Sequence, residues 1–203
     1  QLALSDGSKV WLNSMTELRF PVTFTGEQRK VYLTGEAYFE VTHDSVHPFI
    51  VETPDGMEVK VYGTEFNMNT YEKGVVQTVL VKGKVGVRGG VLGKEVVLAP
   101  EQMAVYREKT GEIQVENVDP YKYVAWKDGE FVFERETIEE IMGRLSRWYD
   151  VKVFYSDESL KQKRFTGIVS RHKDIEQVLR LIEGPATLRF DISGNMVTVR
   201  GGQ

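Results

Sequence analysis

Between Val31 and Val41 apolar and small residues hold the odd positions: Val31, Leu33, Gly35, Ala37, Phe39 and Val41. Tyr32, Thr34, Glu36, Tyr38 and Glu40 hold the even ones. Side chains alternate across a strand, so this pattern predicts one long strand with a single buried face. Gly35 falls in the buried row, where a missing side chain lets the strand bend or another backbone approach. Shorter strands are predicted at Val10 to Leu12, Glu58 to Gly63, Phe66 to Tyr71, Val75 to Val81, Val85 to Val87 and Val96 to Leu98. Turn dipeptides and tripeptides such as Asp6-Gly7, Pro54-Asp55-Gly56, Lys82-Gly83 and Thr110-Gly111 punctuate them. Residues 75–81 are apolar at nearly every position, which calls for cover on both faces. The apolar parity switches from Val59, Val61 and Gly63 to Phe66 and Met68, placing a bulge or tight turn at Gly63-Thr64. Residues 1–115 therefore read as an all-β two-layer sandwich or roll.

The pattern changes after residue 115. Residues 116–129 carry Pro120 and weak periodicity, and read as a linker packed through Tyr121, Tyr123 and Trp126. Residues 130–203 then alternate strand and helix. Glu130 to Glu134 is a strand. Thr137 with Glu140 forms a capping box for a helix whose stripe is Ile138, Ile141, Met142, Leu145, Trp148 and Tyr149. Strands follow at Val151 to Tyr155 and Arg164 to Val169. Asp174 caps a second helix with the stripe Ile175, Val178, Leu179 and Ile182, which Gly184-Pro185 is expected to end. Leu188 to Ile192 and Met196 to Arg200 close the unit as a hairpin around Ser193-Gly194-Asn195. The fold class is thus mainly β, with a small α+β unit of order β-α-β-β-α-β-β whose helices are expected on one face of one small sheet.

Composition narrows the function. The chain has 203 residues, 41% hydrophobic, and a formal net charge of −4 with both signs interspersed. That balance lacks the dense positive face that nucleic acid requires, although Lys161, Lys163 and Arg164 make a local basic patch. With no cysteine, disulfide frameworks and thiolate metal sites are excluded. No apolar run approaches the ~18 residues of a membrane span, and no signal peptide is present. The chain opens at Gln1 and runs straight into strand-like sequence, so it reads as a piece of something longer.

Candidate chemistry is sparse. His43, His47 and His172 with Asp44 do not supply a recognisable metal-ligand spacing, and a polar loop is the plainer reading. Glu36 and Glu40 share a strand face, where carboxylates are usually solvated. Arg88-Gly89-Gly90 and Gly201-Gly202 lack the glycine spacing of a phosphate cradle, and no nucleophile elbow occurs. Trp126 reads as glue in the linker, and Trp148 as core. Trp11, between Val10 and Leu12, is the one tryptophan expected to face outward as a contact. No catalytic residue, cofactor or metal is expected.

Several segments together resemble a known family. They are Leu4 to Asn13, Leu33-Thr34-Gly35-Glu36-Ala37-Tyr38-Phe39-Glu40-Val41, Val61 to Met68 and Val79 to Val87, with Ala125 to Phe131 and Leu145 to Val151 in the second unit. The chain resembles the FecR family of membrane-anchored sigma-factor regulators, in the Bacteroidetes style. Its second unit is similar to the C-terminal domain of those proteins, a domain related to the short secretin and TonB-receptor N-terminal (STN) domain. The resemblance implies a periplasmic sensor region of an anti-sigma factor held by one inner-membrane helix. It implies as partner the periplasmic signalling domain of an outer-membrane TonB-dependent transducer. The extracytoplasmic-function sigma factor would be reached only through a cytoplasmic domain that this sequence lacks.

A sensor of this kind needs a recognition surface. Strand addition at an open sheet edge would suit it, and Arg164 to Val169 and Met196 to Arg200 are the candidate edges. Backbone pairing alone, at ~0.5–1.5 kcal/mol per bond, falls short of an association cost of ~4–15 kcal/mol. Side-chain anchors are therefore needed. The partner-binding candidates are Phe165, Thr166, Gly167, Ile168, Val197, Val199 and Trp11. The rival reading is a carbohydrate-binding β-sandwich, which requires an exposed aromatic platform.

Overall fold

A computed structural model describes residues 1–90 and 93–202, and the chain divides into two compact units between Val124 and Ala125. The first unit contains β1 (Leu2–Ala3), β2 (Lys9–Leu12), β3 (Glu17–Arg19), β4 (Arg29–Thr34), β5 (Glu36–Glu40), β6 (Phe49–Glu52) and β7 (Met57–Val61). It continues through β8 (Glu65–Asn69), β9 (Val75–Lys82), β10 (Val85–Gly89), β11 (Val96–Leu98), β12 (Gln102–Arg107) and β13 (Glu112–Asn117) to the short helix α1 (Tyr121–Val124). Seven strands form one sheet in the order β1-β2-β5-β8-β9-β12-β13, and six form the other in the order β11-β10-β7-β6-β4-β3. One core joins them, with Val31, Leu33, Phe49, Val59 and Val87 from the smaller sheet meeting Phe39, Phe66, Met68, Val76 and Leu80 from the larger. Phe39 and Phe66 stack at 4.9 Å between ring centres.

The stretch 31–41 is two strands in different sheets, not one. Leu33 lies in β4 and Ala37 in β5, and the chain turns between the two strands at Gly35, whose φ is 106°. A Cβ at Gly35 would lie 2.5–2.9 Å from atoms of Thr16, so no side chain fits at this corner. The parity survives because both strands turn their odd residues to the common core. The parity switch at Gly63 marks the same device. β7 lies in the smaller sheet, β8 in the larger, and Gly63 at the crossing has φ 152° with His43 packed against it.

The even row is also less exposed than the alternation suggests. Glu36 and Tyr38 are buried, because β5 sits deep in the larger sheet between β2 and β8. Cover on both faces of 75–81 is present. Val76 and Leu80 face the sandwich core, while Val75 and Val79 join Met103 and Val105 beneath Val118 and Tyr123.

The second unit opens on a 3-10 turn, Ala125–Asp128. It continues as β14 (Glu130–Thr137), α2 (Ile138–Tyr149), β15 (Lys152–Tyr155), a 3-10 turn at Glu158–Gln162, β16 (Arg164–Ser170), α3 (Ile175–Ala186), β17 (Leu188–Ser193) and β18 (Met196–Gly201). The residues expected to form a packed linker are shared out: Glu116 and Asn117 lie in β13, and Trp126 lies in the turn that begins the second unit. The five strands make two sheets, β14-β16 and β15-β18-β17, where one had been expected. α2 packs on β14 and β15, and α3 on β16 and β17, so the helices lie between the sheets. Their stripes, Ile138, Ile141, Met142 and Leu145 with Val178, Leu179 and Ile182, are buried there. The capping box of α2 is present: Thr137 Oγ1 accepts from the Glu140 amide at 3.3 Å, and Glu140 Oε2 accepts from the Thr137 amide at 2.8 Å. α3 continues past Gly184-Pro185 to Ala186. The amide that Pro185 lacks would have bonded a carbonyl on exposed Leu181, and the helix ends instead at left-handed Thr187.

Candidate partner-binding surface

Inward residues of β14 and β16 build an aromatic layer under α2. Phe131 and Phe133 lie 5.9 Å apart, nearly parallel, and Phe165 meets Phe133 edge-on at 6.1 Å. Two arginines close this layer. Arg144 of α2 sits 5.0 Å from the Phe133 ring centre, donates to the Val132 carbonyl at 3.0 Å and pairs with Glu136 at 3.1 Å. Arg171, buried just after β16, lies 3.6 Å from the Trp148 ring centre and 5.0 Å from that of Phe131. Its Nη1 donates to the Trp126 carbonyl at 2.7 Å. The Trp126 and Trp148 segments, far apart in sequence, thus meet on one guanidinium. The sequence reading missed Arg144 and Arg171 because a buried arginine leaves no periodic signal.

The candidate residues separate by face. Phe165 is core, at 7% exposure, and Gly167 is the space its ring fills: a Cβ there would come within 2.7 Å of the ring. Val197 and Val199 are fully buried. β18 is the middle strand, paired in parallel with β15 and antiparallel with β17, so Met196 to Arg200 offers no open edge. Phe165, Val197 and Val199 are therefore core side chains rather than partner anchors, and Met196 to Arg200 is an inner strand rather than an edge. Thr166 is exposed and its Oγ1 accepts from the Arg135 amide at 2.9 Å, closing a bulge where Arg135 has φ 51°. Trp11 is half-buried, edge-on to Tyr38 at 5.6 Å, rather than facing outward. Ile168 alone presents an apolar side chain, at 59% exposure.

Ile168 also marks an open edge. Among the described residues β16 pairs only with β14, and the Arg171 amide donates to the Gly129 carbonyl at 2.8 Å. Antiparallel pairs alternate, so Phe131 bonds Val169 and Phe133 bonds Gly167, while the Ile168 N–H and C=O turn away from β14. A second exposed apolar pair, Phe154 and Met196, lies on the outer face of the three-stranded sheet beside Lys152 and Thr198.

The polar candidates are structural. Glu36 accepts from Asn13 Nδ2 at 2.6 Å and Asn67 Nδ2 at 3.0 Å, which holds its carboxylate beneath the outer face of β5. Asp44 caps its own loop, accepting from the amides of Val46 and His47 and lying 2.9 Å from His47 Nδ1. Those bonds to its charged form hold its pKa well below the usual carboxylate range. His172 belongs to the second unit. Among the described residues no three of His, Asp and Glu converge as metal ligands, and no helix is long and apolar enough to cross a membrane. The first unit carries a groove of about 850 Å³ lined by Phe20, Tyr32, Pro21 and Pro54 with the Lys30–Glu52 ion pair.

Comparison with known proteins matches the model described as FecR protein over residues 1–86 and the one described as FecR, C-terminal, over residues 130–199. The chain belongs to the FecR family. Two crystal structures of a protein provisionally assigned as an anti-sigma factor from Parabacteroides distasonis ATCC 8503 are similar over 100% of this chain and 94% of theirs. The one at 1.65 Å has 29% identity and a TM-score of 0.86; the one at 2.50 Å has 30% identity and a TM-score of 0.85. No protein of curated function matches the chain. FecR proteins are signalling regulators, and this chain is not an enzyme.

Proposed function

We propose that this FecR chain is the sensor region of an anti-sigma factor. In this reading it lies in the periplasm, on a protein anchored in the inner membrane. It receives the signalling domain of a TonB-dependent transducer and passes that state toward an extracytoplasmic-function sigma factor. The observation that carries the reading is the open β16 edge, with Ile168 exposed at its centre, in the FecR C-terminal unit. Unpaired backbone groups beside one apolar side chain provide for strand addition, the backbone giving register and the side chain giving discrimination. The buried aromatic layer behind them holds that edge in a fixed orientation.

Titration calorimetry between the full chain and such a signalling domain tests this. Ile168→Arg is expected to weaken binding at least about tenfold, as loss of a central anchor does. Hydrogen exchange should show new protection along β16. Protection confined to the first unit would reassign the contact. A second reading, carbohydrate binding, rests on the groove at Phe20 and Tyr32. It predicts heat of binding to an oligosaccharide that Tyr32→Ala abolishes and Ile168→Arg leaves unchanged.

A further inference from the structure

β13 is the last strand of the larger sheet and, among the described residues, pairs only with β12. Five of its six residues are exposed. The Val118 amide donates to the Glu101 carbonyl at 2.8 Å, which sets the alternation of this ladder. Glu112, Gln114 and Glu116 bond back to β12, while the N–H and C=O of Ile113, Val115 and Asn117 face outward. On the core side Ile113 stands opposite Tyr106 and Val115 opposite Ala104, so this strand extends the apolar floor of the sandwich beyond its rim. Val115 is 42% exposed there. Glu112, Gln114 and Glu116 line the opposite face.

We infer that the β13 edge receives an extended segment of a partner that alternates apolar with basic residues. Apolar side chains of that segment would continue the row of Ile113 and Val115. Its lysines or arginines would stand beside Glu112 and Glu116, where opposite charges across a ladder stabilise and like charges oppose pairing. The same rule disfavours a second copy of this chain. Antiparallel self-pairing that sets Gln114 opposite itself puts Glu112 opposite Glu116 twice over. The register one step along brings the two Glu116 side chains into diagonal contact. Either way four carboxylates share one face.

The probe is a synthetic peptide, Thr-Lys-Val-Lys-Val-Lys-Thr, added to the full chain and followed by amide hydrogen exchange. Bound peptide is expected to slow exchange at Ile113, Val115 and Asn117 by at least about tenfold, and added salt should weaken it. An analogue with glutamate in place of lysine should not bind. Val115→Pro removes an outward N–H that the β12 ladder does not use, so the chain stays folded and the effect on exchange is lost. Glu112→Lys with Glu116→Lys should invert the preference between the two peptides. The inference is overturned if these three amides are already protected in the free chain, if the lysine peptide leaves them unprotected, or if both peptides protect them equally.

Discussion

The two units enclose a core in opposite ways. The first lays sheet on sheet, and its chain steps repeatedly from one sheet to the other, from β2 to β3, β4 to β5, β5 to β6, β7 to β8, β9 to β10 and β11 to β12. Its specificity therefore lies in corners, where backbone conformation decides the path. The second places two helices between two short sheets and closes the aromatic layer with arginine. Its specificity lies in side chains that span elements distant in sequence. A small domain buries a smaller share of its surface, and stacking a guanidinium on indole lets the second unit use long polar side chains as core material.

The sharpest way to break this contrast is at a corner. Gly35→Val demands a left-handed β-branched residue and a Cβ inside contact distance of Thr16. It is expected to cost about 3 kcal/mol or more, the sum of backbone strain and overpacking. Calorimetric unfolding should show the loss, and hydrogen exchange should place it in β4 and β5. A cost below about 1 kcal/mol would show that the corner tolerates side chains and that packing sets the path.

Arg171→Leu tests the other unit. It removes the cation above Trp148 and leaves the Trp126 carbonyl without the Nη1 bond. The expected loss is about 2–4 kcal/mol, with a shifted Trp fluorescence spectrum. Arg171→Lys should recover little of it, because an ammonium cannot both stack flat and reach the carbonyl. Full rescue by lysine would make charge alone the operative feature. Next in size is Thr137→Ala, which removes the capping box of α2 and should cost about 1 kcal/mol.

The contrast also explains what could be read in the sequence. Helices and their caps were legible because 3.6-residue periodicity and Thr137 or Asp174 are local signals. Strand faces were legible for the same reason. Parity alone separates Phe165, Gly167 and Val169 from Thr166 and Ile168, so the core assignment of Phe165 was available to a stricter use of alternation. Pairing partners were not legible. Val197 and Val199 became central only because β15 joins β18 in parallel across two intervening strands and a helix, and nothing local reports that. The break at Gly35 was hidden by its own geometry, since folding over a corner keeps odd residues inward. Glu36 gave no sign of burial because its cover comes from Asn13, just after β2, and Asn67 on β8. The open edges of β13 and β16 depend on sheet order in the same way.

The smallest expected effect compares one loop aspartate in each unit, half-buried Asp44 and exposed Asp157. Asp44 accepts two amides and faces the His47 ring, whereas Asp157 accepts from the backbone N–H of Ser159 at its 3-10 turn. Both carboxyl groups are held below their ordinary pKa by bonds to the charged form. A depressed folded-state pKa means the contribution is complete above the unfolded value of about 4 and fades as pH falls through the folded one. Carbon-detected NMR titration should therefore place both midpoints below the ordinary range, with Asp44 the lower because it collects more donors. Titration of Asp44 at or above Asp157 would mean that its loop opens in solution, and the ordered corner of the first unit would end before His43.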